Sequence, residues 1–180
     1  MVALSPAELF AEVRLRPAVK TDADTLFTDY FGLAETATFL QRKCHTRIAE
    51  TEHFVERWCN WKLGDLRDSF AWVICGVESS RPNGIVLVIR DRHVAEIHFG
   101  VAPVVSGRGI AGHAVCLATD WLLGQSGVRR VWTAVDASHA ASRRVLEKAG
   151  FSEEGCLQKW LSLPALGSEP RDAIALARVR

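Results

Sequence analysis

The stretch HVAEIHFGVAPVVSGRGIAG, residues 93–112, places two different patterns side by side. Its first half alternates apolar residues with polar ones or glycine, as expected for a strand with one buried face. Pro103 ends that strand, because proline has no N–H for a central sheet ladder. A glycine-rich segment follows, and apolar residues then recur at helical spacing from Ile110 to Leu122. A strand, a glycine loop and a helix are therefore predicted in this order.

The glycine loop is a candidate site for phosphate. Backbone N–H groups ahead of a helix can approach an anion closely, and the helix dipole favours negative charge there. Gly107, Gly109 and Gly112 also satisfy the dinucleotide-binding pattern GxGxxG, and Asp136 ends a later predicted strand. A dinucleotide-binding fold is nevertheless disfavoured, because residues 102–106 separate the loop from the strand that should lead directly into it.

The flanking sequence adds strands and helices that together indicate a single mixed, mostly antiparallel α/β domain over residues 1–180. Apolar segments at 70–77, 85–90 and 93–101 are joined by short links, which predicts an antiparallel meander. Thr21 is a typical N-cap, so a helix is predicted to begin there. The other predicted strands are 12–17, 129–135, 151–161 and 171–179, and the other predicted helices are 46–62 and 138–148, the second ending at Gly150.

Composition excludes several classes of protein. The 180 residues include 22 basic and 21 acidic side chains, and 48% are hydrophobic, which favours a folded globular chain. A net charge of +1 disfavours nucleic-acid binding, and the apolar runs are too short to span a membrane. No secretory signal is predicted at the N-terminus. Five dispersed cysteines without a CxxC motif predict free thiols in a cytoplasmic protein, and no metal site is expected.

Four motifs follow one another in a specific order: AEIHFGV at 95–101, SGRGIA at 106–111, VDASHAAS at 135–142 and RRVLEKAGF at 143–151. In this order they resemble the GNAT acetyltransferase superfamily, and within it the ribosomal-protein alanine N-acetyltransferase (Rim-type) branch. The resemblance covers most of the chain and is strongest over residues 95–156. It implies a GNAT-like sheet that splays after the strand at 93–101, with acetyl-CoA as co-substrate.

The resemblance also implies which residues contact acetyl-CoA. The pyrophosphate loop of the family falls on residues 106–111, where Ser106 replaces the usual Gln or Arg. His139 replaces an Asn near the pantetheine, and Ser142 falls on the position of a serine near the thiol. The backbone N–H near Val101 is the implied oxyanion donor, and Gly100 would permit a bulge there. The implied cofactor-binding residues are Phe99, Val101, Ser106, Gly107, Arg108, Gly109, Ile110, Ala111, His139 and Ser142.

Candidate catalytic residues lie on the strand at 93–101. Period-two alternation puts Glu96 and His98 on one face, where a carboxylate and an imidazole can remove a proton from an amine. A solvated polar face is the alternative interpretation of this pair. The resemblance favours Glu96 as the base, and the choice between Glu96 and His98 stays open.

The leaving thiolate needs a hydrogen-bond donor. Many GNAT enzymes use a tyrosine, but Tyr30 is the one tyrosine here, and it is predicted early in a helix, far from these motifs. The Rim-type branch instead implies Ser142, with solvent supplying the proton. Trp58 and Trp61 lie on the helix that the resemblance places along the acceptor cleft, with core packing as the alternative.

The resemblance predicts N-acetyl transfer to a primary amine, most simply the α-amine of a protein or peptide N-terminus. A small amine such as an amino acid, polyamine or drug is the alternative acceptor. A catalytically weak, regulatory acyl-CoA-binding module is the alternative from a different class, and a homodimer is an open alternative for the assembly.

Overall fold

The computed structural model describes residues 13–59, 69–76 and 78–180. The predicted strand ends at Glu12 and Val77, and the predicted helix end at Lys62 with Trp61, lie outside these residues. Within the described part, seven strands form one sheet in the order β1-β2-β3-β4-β5-β7-β6. The strands are β1 (Arg14–Pro17), β2 (Ser69–Cys75), β3 (Pro82–Asp91), β4 (Val94–Val101), β5 (Arg130–Asp136), β6 (Ser152–Leu161) and β7 (Arg171–Val179).

Neighbouring strands run antiparallel except β4 and β5, which are parallel. The predicted mixed, mostly antiparallel sheet is therefore confirmed, including the meander of β2, β3 and β4. Short helical segments precede the meander, and two longer helices follow it. The helices are α1 (Ala23–Leu26), α2 (Ala34–Ala37), α3 (Ile48–Cys59), α4 (Ile110–Gly124) and α5 (Ala140–Lys148), with 3₁₀ turns at Lys20–Asp22 and Pro103–Val105 and a π-helical turn at Phe27–Phe31.

Different helices cover the two faces of the sheet. Ala95 and Ile97 of β4 are completely buried in the main core, to which α4 contributes Leu117 and Leu122. Because side chains alternate along a strand, Glu96 and His98 point to the opposite face. That face carries a second core, formed by α1, the π-helical turn and α3 against β2 and β3.

A helix does begin within Thr21–Asp24, with Asp24 in the first turn of α1, but the prediction of Thr21 as its N-cap is wrong, because Asp22 holds that position. The carboxylate of Asp22 accepts a hydrogen bond from the backbone N–H of Val19 at 2.8 Å and pairs with Arg16 at 2.6 Å. These contacts hold the chain in a 3₁₀ turn, and α1 starts only after it. Arg16 lies on β1, so a local capping pattern does not report this interaction.

Helix α5 begins at Ala140 and not at the predicted Ser138. Asp136 at the end of β5 accepts hydrogen bonds from both the backbone N–H and the hydroxyl of Ser138, which forms a turn before the helix. His139 is the N-cap. After the helix, Gly150 has a φ of +81°, which agrees with the predicted C-terminal glycine.

The sheet is open on one side of its centre. β4 and β5 pair only where Val94–Glu96 of β4 faces residues 130–132 of β5. Beyond that point β4 stays paired with β3 as far as Val101, and β5 stays paired with β7 as far as Asp136. The two strands therefore diverge, as the resemblance implied, and leave a wedge-shaped opening between them.

Among the described residues, no helix is both long and apolar enough to cross a bilayer. In the same part of the chain, no three His, Cys, Asp or Glu side chains come together as a metal site would require. The thiols of Cys44, Cys75, Cys116 and Cys156 are free.

Candidate active site

A cavity of about 460 Å³ occupies the opening between β4 and β5. Its walls are the facing ends of the two strands, from Phe99 to Val101 on β4 and from Thr133 to Asp136 on β5. The start of α4 and the first turn of α5 close it at the sides. Of the predicted cofactor-binding residues, the structure places Phe99, Val101, Ser106, Ala111, His139 and Ser142 on its lining.

The glycine loop lies at one end of this cavity, between Ser106 and Ala111. Gly107 and Gly109 have φ values of +78° and +80°, in the left-handed region where glycine is favoured. A Cβ atom at either position would meet nothing within 4 Å, so both backbones face open space. The backbone N–H of His113 donates a hydrogen bond to the carbonyl oxygen of Gly109 at the start of α4. The backbone N–H groups of the loop residues before His113 lie ahead of this helical hydrogen bond and can bind an anion. The loop therefore fits a pyrophosphate.

His139 and Ser142 lie at the start of α5 on another wall of the cavity. The Ser142 hydroxyl oxygen is 3.5 Å from Nε2 of His139. The imidazole stacks on Phe39, with ring centres 3.9 Å apart and planes 10° apart. Burial lowers the pKa of His139, although Asp136 opposes this shift, so the neutral ring is favoured. A neutral imidazole beside the hydroxyl orients Ser142 in the cavity.

Asp136 holds the β5–α5 turn in place. Its side chain is 1% exposed and accepts a hydrogen bond from Nε of Arg171 on β7 at 2.5 Å. Burial raises the pKa of Asp136, but hydrogen bonds from Arg171 and Ser138 outweigh it, and the net shift is downward. The carboxylate is thus ionised and binds α5 to the sheet beside the cavity.

Tyr30 reaches the centre of the site, so the prediction that it lies far from the motifs is wrong. It is 3% exposed and lines the cavity from the π-helical turn. A Cβ atom added at Gly100 would overlap its hydroxyl oxygen. The β3–β4 register is regular at Gly100, so the glycine makes room for Tyr30 and forms no bulge. Burial raises the pKa of the Tyr30 hydroxyl, which keeps it protonated.

A second cavity, of about 240 Å³, lies next to the first on the face of the sheet that carries α1 and α3. Aromatic rings supply much of its wall, among them Phe31 and Phe54. Six described residues line both cavities and therefore mark where they meet. These shared residues are Tyr30, Phe39, Leu40, His98, Phe99 and Ala134.

The predicted pair Glu96 and His98 is in contact. Nε2 of His98 lies 3.0 Å from Oε1 of Glu96, and both side chains are about one-third exposed or less. His98 lines both cavities, whereas Glu96 lines neither of them and lies behind the imidazole. The arrangement can pass a proton from a group in the cavity to His98, with the carboxylate stabilising the resulting imidazolium.

The residue of α3 that was predicted to lie along the acceptor cleft is outside both cavities. Trp58 packs beside Phe54 and Arg57 and lines neither cavity. Arg143, the first residue of the motif at 143–151, forms an ion pair with Glu153. Tyr30, Phe39 and Arg42 were not identified as site residues from sequence, because they precede the motifs by more than fifty positions and no spacing rule links them.

The chain was compared with known proteins. The family model described as "Acetyltransferase (GNAT) domain" matches residues 12–152. No curated protein matches the sequence. Solved structures match over nearly the whole chain at low identity, so they establish similarity of fold.

One similar structure is the microcin C7 self-immunity acetyltransferase MccE in complex with acetyl-CoA and AMP, at 17% identity and a TM-score of 0.84, covering 98% of each chain. Another is the ribosomal-protein-S5-alanine acetyltransferase from Vibrio fischeri, at 18% identity and a TM-score of 0.81, covering 96% of this chain and 95% of that one. A third is the spermidine N-acetyltransferase from Vibrio cholerae in complex with CoA and spermine, at 16% identity and a TM-score of 0.76, covering 93% and 95%.

Proposed function

Since the chain belongs to the GNAT acetyltransferase family and is an acetyl-CoA-dependent N-acetyltransferase, we propose that its acceptor is the α-amine of a peptide or protein N-terminus. The observation that carries this proposal is the position of His98 where the two cavities meet, with Glu96 behind it. An amine entering from the aromatic cavity meets a proton acceptor at the point where it meets the thioester.

The proposed reaction is direct transfer. The acceptor nitrogen attacks the thioester carbon, the N–C bond forms, and the C–S bond breaks. His98 takes the proton of the amine, and Glu96 stabilises the imidazolium. The backbone N–H near Val101 donates to the developing oxyanion. Ser142 donates a hydrogen bond to the departing sulfur, and solvent supplies the proton that completes the thiol.

The residues around the sheet opening support this use of the site. Backbone groups of the glycine loop would hold the pyrophosphate, while the diverging edges of β4 and β5 would flank the pantetheine arm. His139 and Ser142 line the same cavity from α5 and would flank the thioester.

A small amine is the second candidate acceptor. The observation that favours it is the size of the aromatic cavity, because 240 Å³ is below the usual range for drug-sized ligands and suits one side chain or one small molecule. A peptide would place only its first residue there, while a small amine would fit entirely.

The free thiols also support our proposal of a cytoplasmic location.

The acceptor is tested by incubating the protein and acetyl-CoA with peptides that carry free α-amines, the same peptides with blocked α-amines, and a set of small amines. Release of CoA thiol reports turnover, and mass spectrometry locates the acetyl group. We expect acetylation at free α-amines only. Acetylation of lysine side chains or of polyamines, with none at α-amines, would contradict the proposal. Tight acetyl-CoA binding without thiol release for any amine would indicate a binding module.

A further inference from the structure

The aromatic cavity contains a cationic group that has no carboxylate partner among the described residues. Arg42 lines the cavity together with Tyr30, Phe31 and His98. No aspartate or glutamate is among the described lining residues, most of which are apolar. A guanidinium is charged at all physiological pH values and prefers to be paired when it is removed from water.

The contacts of Arg42 leave part of its guanidinium unused. Its Cζ atom lies 4.6 Å from the ring centre of Phe31 and 5.8 Å from that of Tyr30. Nη1 donates a hydrogen bond to the backbone carbonyl of Lys43 at 3.0 Å. Nη2 is buried and has no hydrogen-bond partner in the described structure. The aromatic rings therefore hold the guanidinium in position. Burial lowers the pKa of Arg42 and the nearby Tyr30 hydroxyl raises it in part, while Nη2 still lacks a hydrogen-bond partner among the described residues.

Several other arginines of the described chain have carboxylate partners. Arg16, Arg81, Arg130, Arg171 and Arg178 each pair with an aspartate or glutamate. Arg42 makes no such pair with a described residue, and burial lowers its pKa, which means that its surroundings disfavour the charge. A ligand that brings an oxyanion into the cavity would accept a hydrogen bond from Nη2 of Arg42 and compensate the positive charge of the guanidinium.

We propose that Arg42 is a substrate-binding residue that recognises a carboxylate on the acceptor, so that the preferred acceptor carries both a primary amine and a nearby carboxylate. This inference rests on the proposed function, because it places the amine at His98 in the same cavity. The carboxylate has two potential sources, the α-carboxylate of a free amino acid and an acidic side chain next to a peptide N-terminus. A polyamine is disfavoured, since a second cation would lie beside the guanidinium.

Matched acceptor pairs test the assignment and distinguish the two sources. One pair is leucine and leucinamide, and the other is a peptide beginning Ala-Asp and the same peptide beginning Ala-Asn. We expect the wild-type protein to favour the carboxylate member of at least one pair by about 10- to 100-fold in kcat/KM, the range expected for one charge-assisted contact. The pair that shows the preference identifies the source.

The variant Arg42→Met keeps an apolar stem against Phe31 and removes the charge. It should lower kcat/KM for the carboxylate member relative to the neutral member until the two values are about equal. Arg42→Lys keeps the charge without the planar fork and should give an intermediate preference. The control is Arg57→Met, which removes one positive charge from α3 at a residue that lines neither cavity. It should leave the preference unchanged.

Equal kcat/KM values within both pairs in the wild type would overturn the assignment, as would an equal loss for both members in Arg42→Met. Calorimetric binding of the same pairs to the CoA-bound protein measures the preference without turnover. If no amine is acetylated but the carboxylate members still bind more tightly in an Arg42-dependent manner, the proposed function fails and the assignment of Arg42 stands.

Discussion

Nε2 of His98 lies 3.0 Å from Oε1 of Glu96, and of these two side chains His98 is the one that lines the cavities. The geometry gives the two residues different roles in the proposed reaction. In that proposal the imidazole would face the reacting amine, and the carboxylate would act through the imidazole. The sequence pattern predicted that they share a face, but it did not rank them by access to the substrate.

The first prediction separates these roles. His98→Gln should lower kcat/KM for the acceptor by about 10²- to 10⁴-fold, the usual contribution of a positioned base. Glu96→Gln should cause a smaller loss, because it removes only the charge behind the imidazole. Part of either loss should be recovered at high pH, since a free α-amine predominates above its pKa of about 7.7–8.0. Rates are measured from about pH 6 to 9, a window spanning that titration.

Acetyl-CoA binding, measured by calorimetry, is the control and should be unchanged in both variants. Full activity of both variants across the whole pH range would show that neither side chain is needed as a base.

The second prediction concerns Ser142. If its hydroxyl donates to the sulfur in the transition state, Ser142→Ala should lower kcat by about 10- to 100-fold with little change in KM for acetyl-CoA. Ser138→Ala is a matched control, because that hydroxyl bonds to Asp136 in the adjacent turn and does not line the cavity. Steady-state kinetics on both variants check this, and an unchanged kcat in Ser142→Ala would leave the serine with a structural role only.

The third prediction concerns the glycine loop. Acetyl-CoA should raise the melting temperature of the protein, since a ligand at a hundredfold excess over its Kd stabilises the folded state by about 2.7 kcal/mol. NAD should not raise it. Gly109→Asp should abolish the shift, because it places a negative charge where the pyrophosphate would bind.

The control for backbone strain is Gly167→Asp, at a glycine that also has a positive φ, +125°, but lies in the β6–β7 connection. It should keep the acetyl-CoA shift. Stabilisation by NAD and not by acetyl-CoA would contradict the assignment of the loop.

The fourth prediction concerns pH and the fold. The pKa of Asp136 is lowered in the folded protein, so its ionised form stabilises the structure. That contribution is complete above the unfolded pKa of about 3.9 and is lost as the pH falls through the lower, folded value. Asp136→Asn should therefore lower the free energy of unfolding near neutral pH and flatten its decline in acid. Urea unfolding at several pH values measures both effects, and an unchanged acid dependence would contradict this role.

Local patterns predicted those parts of the fold that local interactions determine. Alternation identified the strand that carries Glu96 and His98, and glycine spacing identified the turn before α4. The N-cap of α1 and the start of α5 differ from the predicted ones because charged side chains on strands pair with the residues before these helices: Arg16 of β1 pairs with Asp22, and Arg171 of β7 pairs with Asp136. A capping pattern contains no information about such partners.

The acceptor side of the site was the least predictable. Tyr30 and Arg42 line the same cavity as His98 only because the segment before β2 packs over the sheet, and sequence spacing does not encode that approach. One signal was available in Gly100, a glycine within a strand, which commonly marks a close approach by another group. The resemblance allows a bulge at Gly100, whereas the structure shows that the Tyr30 hydroxyl approaches the backbone there.

The limited pairing of β4 with β5 has a mechanical consequence. Three residues at one end connect a four-stranded half of the sheet to a three-stranded half, and each diverging strand keeps its full ladder to its outer neighbour. Along the gap the two halves are therefore held together by the core packed against them, including α4, and not by ladder hydrogen bonds. A molecule seated in the gap would contact both halves and brace them, so that filling the site also stiffens the sheet.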